Sequence, residues 1–100
     1  MHVIAYPKLR KFAEKYPNTK NALDRWFKIL SKNNYDNFDD LRRTFSSSVD
    51  QVENCVVFNI GGNKVRLIVK VLYSIKTVYV KYVLTHVEYD LGKWKVECNR

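Results

Sequence analysis

Two stretches of strict alternation constrain this chain more than any other feature. From Lys64 to Tyr73, Val65, Leu67, Val69 and Val71 take one face of an extended backbone. Lys64, Arg66, Ile68 and Lys70 take the other. From Thr77 to Leu84 the pattern repeats, with Val78, Val80, Tyr82 and Leu84 against Thr77, Tyr79, Lys81 and Val83. A period of two means β-strand. Before them, Cys55-Val56-Val57-Phe58-Asn59-Ile60 reads as a third strand. Gly61-Gly62 joins it to the next as a tight hairpin, since both residues can take positive φ. Ser74-Ile75-Lys76 turns the chain again. Three adjacent antiparallel strands with one apolar face need a cover.

The cover lies upstream, where the period is helical. Leu9, Phe12, Ala13 and Tyr16 fall at helical spacing after Pro7, which suits a first turn. Pro17 ends that segment, because the residue before a proline avoids the α region. Ala22, Leu23, Trp26, Phe27 and Leu30 form the apolar stripe of a second helix, stopped at Asn33-Asn34. Asn37 caps a short third helix with Asp39 and Asp40 in its first turn and Arg42 and Arg43 after them. Ser46-Ser47-Ser48-Val49-Asp50 reads as a polar loop. His2-Val3-Ile4-Ala5 reads as an edge strand or a frayed terminus. Residues 85–90 contain a possible helical turn, and Leu91 to Val96 reads as a last short strand with Trp94 packing inward. The expected architecture is α+β: one domain over residues 1–100, with strands at 55–60, 64–73 and 77–84. Val65, Leu67, Val69, Val78, Val80 and Leu84 are expected to face Leu23, Trp26 and Phe27.

Composition narrows the function. Apolar residues make up 46% of the 100 residues, enough for a packed core. No apolar run approaches the roughly 20 residues of a membrane span, and no signal peptide is visible. Cys55 and Cys98 are too few for a stapled secreted scaffold, so a cytoplasmic protein with reduced thiols is expected. Lys and Arg number 18 against 10 Asp and Glu, a net charge of +8. Between Glu53 and Glu88 there is no acid, while Lys64, Arg66, Lys70, Lys76 and Lys81 fall in that interval. Such a balance points to a polyanionic partner. Zinc-ligand spacing, a phosphate-binding glycine loop and a G-x-S-x-G elbow are all missing from the sequence. The carboxylates are dispersed, so neither a metal nor a cofactor is expected.

What remains is a basic sheet face followed directly by His86, Glu88, Tyr89 and Asp90. Histidine can take or give a proton near neutral pH. The planar fork of Arg66 fits a phosphate. RNA cleavage requires little more. The substrate's own 2′-OH attacks the adjacent phosphate, so the protein removes one proton, supplies another and stabilises the phosphorane. Arg66, His86 and Tyr89 are the candidate catalytic residues. Lys64, Lys70, Tyr79, Lys81 and Lys93 are candidates for holding RNA, with tyrosine rings able to stack bases. The competing reading is a non-catalytic module whose basic face docks RNA, a ribosome or an acidic partner.

Two motifs carry a family resemblance. Phe58-Asn59-Ile60-Gly61-Gly62-Asn63-Lys64-Val65-Arg66-Leu67 and Leu84-Thr85-His86-Val87-Glu88-Tyr89-Asp90 resemble the HigB family of type II toxins, within the RelE-like superfamily. Asn37 to Phe45 and Gly92-Lys93-Trp94 are similar to that family as well. The resemblance implies N-terminal helices packed on one face of a twisted, mainly antiparallel sheet. It implies an mRNA interferase that cleaves mRNA in association with the ribosome. It also implies neutralisation by a helix-turn-helix antitoxin of the HigA kind, with operator DNA bound only through the complex. The motif positions it carries are Asn59, Asn63, Arg66, His86, Glu88, Tyr89 and Asp90, of which Asn59, Asn63, Glu88 and Asp90 are supporting residues.

Overall fold

The helices form where the apolar spacing puts them. The computed structural model describes residues 1–4, 6–62 and 64–99. Helix α1 spans Tyr6–Lys15 and α2 spans Lys20–Lys32. Leu9 of α1 and Leu23, Trp26 and Leu30 of α2 are buried. Helix α3 spans Phe38–Phe45. The Asn37 side chain caps it by accepting from the Asp40 N–H at 2.9 Å.

Five strands make one sheet in the order β1-β5-β4-β3-β2. They are β1 His2–Ile4, β2 Val49–Val52, β3 Cys55–Ile60, β4 Val65–Leu72 and β5 Thr77–Thr85. Strand β1 is the edge strand expected as one possibility, and it runs parallel to β5; the other pairs are antiparallel. Strand β2 corrects the polar loop expected over residues 46–50. Only Ser46–Ser48 forms a 3-10 turn, and the chain then pairs with the outer edge of β3. The reason is that β3 is buried almost throughout, and its edge N–H and C=O groups need partners. The exposed Asp50 and Gln51 disguise β2 as loop. Gly61 and Gly62 adopt φ of 64° and 60°, as a primed hairpin turn requires.

The three helices cover one face. Trp26 meets Phe58 edge-on with ring centroids 5.3 Å apart, and Phe45 packs on Phe58 at 4.9 Å. Val65, Leu67, Val69, Val78 and Val80 join this core, as their alternation predicts. Leu84 does not. Ile68 pairs with Tyr82 but Val69 pairs with Val80, so Lys81 is an extra residue in β5. Such a bulge inverts the phase of everything beyond it. Val83 therefore packs with the helix-side core, while Tyr82 and Leu84 turn to the opposite face.

That opposite face is not the open basic surface the charges suggest. Cys55, Val57, Ile68, Trp94 and Cys98 are buried in a second, smaller core, with Val52, Tyr82, Leu84 and Tyr89 packed against it. Its lid is the C-terminal segment. The strand expected over Leu91 to Val96 is instead a turn followed by a short helix, α5, at Lys95–Cys98. Trp94 does pack inward, with 2% of its surface exposed. Cys55 and Cys98 form a disulfide, which corrects the expectation of two free thiols. The physical reason is that β3 and β4 carry apolar residues on both faces, so both faces must be covered. Among the described residues no helix is long and apolar enough to cross a membrane.

The disulfide closes a loop between positions 43 residues apart. Loop-closure entropy alone then assigns it about 4 kcal/mol of stability. Urea denaturation with and without dithiothreitol should show a drop of that order in unfolding free energy. Superimposable curves would mean that the bond does not form in solution.

Candidate active site

The site is built where β4 and β5 meet a short helix. Arg66 lies in β4, between Asn59 of β3 and Leu84 of β5. Its Nη1 donates to Asn59 Oδ1 at 2.8 Å, which fixes the guanidinium against the sheet. Helix α4, His86–Asp90, starts directly after β5. Thr85 holds its start in a capping box. The Glu88 N–H donates to Thr85 Oγ1 at 3.2 Å, and the Thr85 N–H donates to Glu88 Oε1 at 2.9 Å. Two backbone donors are thereby satisfied reciprocally, and the angle at which α4 leaves the sheet is set.

The box brings the motif residues to Arg66. Arg66 Nη2 lies 3.4 Å from His86 Nδ1. A guanidinium can only donate, so Nδ1 is the acceptor in this contact. The far nitrogen, Nε2, lies 3.2 Å from Asp90 Oδ2, so the tautomer that accepts from Arg66 donates to this carboxylate. Asp90 follows His86 by one helical turn, the spacing that puts two side chains on one face. His86 and Asp90 are both more than half exposed, at 55% and 60%, so the group is open to solvent and to a large substrate.

Tyr89 is engaged through its ring. The Arg66 guanidinium lies 5.2 Å from the ring centroid, and the Trp94 ring stacks on it at 4.9 Å with 14° between planes. Trp94 Nε1 also donates to the Tyr89 carbonyl at 2.9 Å. A ring stacked in this way is poorly placed to receive a nucleobase, and the hydroxyl is the group left for chemistry. Trp94 is thus a support that sequence reasoning found only as an inward-packing residue.

The remaining candidates divide. Lys64 is exposed just past the hairpin, beside the start of β4. Lys93, Tyr82, Leu84, Glu88, Leu91 and Trp94 line a cavity of about 280 Å³ next to α4. Lys81 occupies the bulge, its Nζ 5.6 Å from the Tyr79 ring. Lys70 and Tyr79 pair beyond the bulge, and Lys70 Nζ lies 3.9 Å from Glu97 Oε2, so neither joins the Arg66 cluster. Asn63 lies outside the described residues. One group was missed altogether. Lys8, Lys11 and Lys15 of α1 line a groove of about 480 Å³ with Phe12, Tyr16, Lys81 and Tyr82, reaching Glu88. Lys8 Nζ donates to the Lys81 carbonyl at 3.1 Å. Their i, i+3, i+7 spacing was the available signal.

The arrangement is a phosphate-sized cationic fork touching an imidazole whose far nitrogen is held by a carboxylate. Comparison with known proteins agrees with the motifs. Residues 19–92 match the HigB toxin family, described as the RelE-like toxic component of a toxin-antitoxin system. The mRNA interferase toxin HigB of Escherichia coli strain K12 is 33% identical over 92 residues, covering 90% of this chain and 88% of the relative. The mRNA interferase HigB of Shigella flexneri matches to the same extent. That of Escherichia coli O6:H1 strain CFT073 is 27% identical over 90% of this chain and 89% of its own length. On the strength of these matches and of the motifs that build the site, the chain belongs to the HigB family of RelE-like toxins.

Proposed function

We propose that this toxin is an mRNA endoribonuclease that acts through the 2′-OH of its substrate, without metal or cofactor, on mRNA engaged by the ribosome in the cytoplasm. The observation that carries the reading is the contact between Arg66 and His86, braced by Asp90. A scissile phosphate bound by Arg66 competes with His86 Nδ1 for the guanidinium. Phosphate binding therefore frees the Nδ1 lone pair next to the 2′-OH. His86 takes that proton, and Asp90 stabilises the imidazolium through Nε2–H, as a carboxylate does in other acid–base pairs. The 2′ oxygen attacks phosphorus, Arg66 offsets the growing phosphorane charge, and the 5′ oxygen leaves with a proton supplied from the Tyr89 hydroxyl or from His86. The products are a 2′,3′-cyclic phosphate and a 5′-hydroxyl end. Lys64 and Lys93 hold flanking phosphates, and Lys81 continues the track towards α1.

Family membership supplies a protein antitoxin as partner. We infer one of the HigA type, with a helix-turn-helix that carries the complex to operator DNA. Val87 on α4 and Leu91 just after it, exposed at 70% and 65%, offer it apolar surface beside the site.

Expression without antitoxin should arrest growth. Arg66→Ala should lower the cleavage rate constant by about 10²–10³ fold, the scale of one lost oxyanion donor. His86→Ala should lower it by about 10²–10⁴ fold, the scale of general acid–base transfer. Tyr89→Phe keeps the stack on Trp94, so its loss of activity would measure the hydroxyl alone. Primer extension on a transcript, with antitoxin binding as the check of folding, separates these effects. Full growth arrest by both the Arg66 and His86 variants would remove the assignment and favour a binding module.

Affinity for single-stranded RNA should fall with salt at a log–log slope near −3, from about four cationic contacts at roughly 0.7 each. A slope near zero would move the RNA off this face.

Cleavage of naked RNA should continue in EDTA. Strict dependence on magnesium would instead make Asp90 and Glu88 candidate ligands, since hard cations take carboxylate oxygens.

A further inference from the structure

We propose that Cys55–Cys98 is a thiol–disulfide exchange site, and that its state sets the order of the active-site helix α4. The partner is a dithiol reductant, small or protein-borne. The proposal rests on the ribonuclease reading only for its effect on cleavage.

The sulfur pair ties the first residue of β3 to the last residue of α5. Four residues are too few to hold a helix by themselves. Three other contacts keep α5 docked: the Asn54 N–H donating to the Cys98 carbonyl at 3.0 Å, the burial of Trp94, and the Lys70–Glu97 pair at 3.9 Å. One turn before Cys98 stands Trp94, which stacks on Tyr89 and donates to its carbonyl. Tyr89 in turn carries the Arg66 guanidinium over its ring. The disulfide is thus one helical turn from the residue that backs the catalytic cluster. The element with two arrangements is α5, docked or released, and the covalent bond biases it towards docked.

Both cysteines are fully buried, so exchange proceeds through local opening of α5, whose Val96 is already 62% exposed. The reductant's first thiolate bonds to one cysteine sulfur as the S–S bond breaks. Its second thiolate then resolves the mixed disulfide. Two electrons pass to the protein and two protons end on the Cys55 and Cys98 sulfurs; the reductant leaves as its own disulfide. Released from the tether, α5 opens more often, and Tyr89 loses Trp94 each time. The toxin is then more active oxidised than reduced.

The test compares the full chain, air-oxidised and dithiothreitol-reduced under argon, by thiol titration, amide hydrogen exchange and RNA cleavage. The oxidised protein should show no titratable thiol. Reduction should speed amide exchange at Tyr89 and over 94–98 by about tenfold or more, the mark of a lost local constraint, while β4 stays protected. Cleavage should fall in parallel and return on reoxidation with glutathione disulfide. A Cys55→Ser/Cys98→Ser variant should match the reduced protein and ignore dithiothreitol. Free thiols in the air-oxidised protein, or identical exchange in the two states, would overturn the proposal; the wild-type comparison decides this even where the variant fails to fold. A clear exchange difference with no cleavage in either state would leave the exchange site standing and overturn the ribonuclease reading instead.

Discussion

The single extra residue at Lys81 organises both faces of the sheet. Up to Val80, β5 points its valines at the helices; after Lys81 the same strand points Tyr82 and Leu84 the other way. An unbroken strand would have sent Tyr82 and Leu84 under the helices and set Lys81 directly opposite Ile68. With the bulge, Ile68, Val57, Tyr82 and Leu84 form a patch that water must be kept from. At roughly 25 cal/mol for each Å² removed from water, that patch is reason enough for the C-terminal segment to fold back. The bulge also leaves Leu84 opposite Arg66, so the strand reaches Thr85 at the position from which α4 must start.

The geometry at this edge depends on short-range contacts more than on the core. The capping box spans only Thr85 to Glu88, yet it aims His86 and Tyr89 at Arg66. Glu88 is spent on this cap rather than on His86, and Asp90 is the carboxylate that reaches the imidazole. Two acids two residues apart thus do different work, because one faces back towards the strand and the other lies a turn along from the histidine. The exposure of the cluster suits a polymer that must lie across it.

The helices and central strands were legible because Leu23, Trp26 and Leu30, and Val65, Leu67 and Val69, keep their periods without interruption. The motif residues Arg66, His86, Tyr89 and Asp90 stood out by residue type, and their meeting in space follows from a strand edge running into a helical turn. Three things were not legible. The bulge leaves no mark in composition, since alternation read through Lys81 looks continuous. Strand β2 is four residues long with two exposed polar ones, and its pairing is a long-range demand of β3. The disulfide brings Cα atoms to 5.2 Å across the second core, a closeness that spacing along the chain cannot reveal.

The span matched by the toxin family, residues 19–92, contains every member of the cluster from Asn59 to Asp90 and stops short of Trp94 and Cys98. Mechanically, the segment beyond that span is a strap: the buried Trp94 and the disulfide at Cys98 lay it across the second core. A pull on the last residues is borne by β3 through the sulfurs, not by the helix that carries His86.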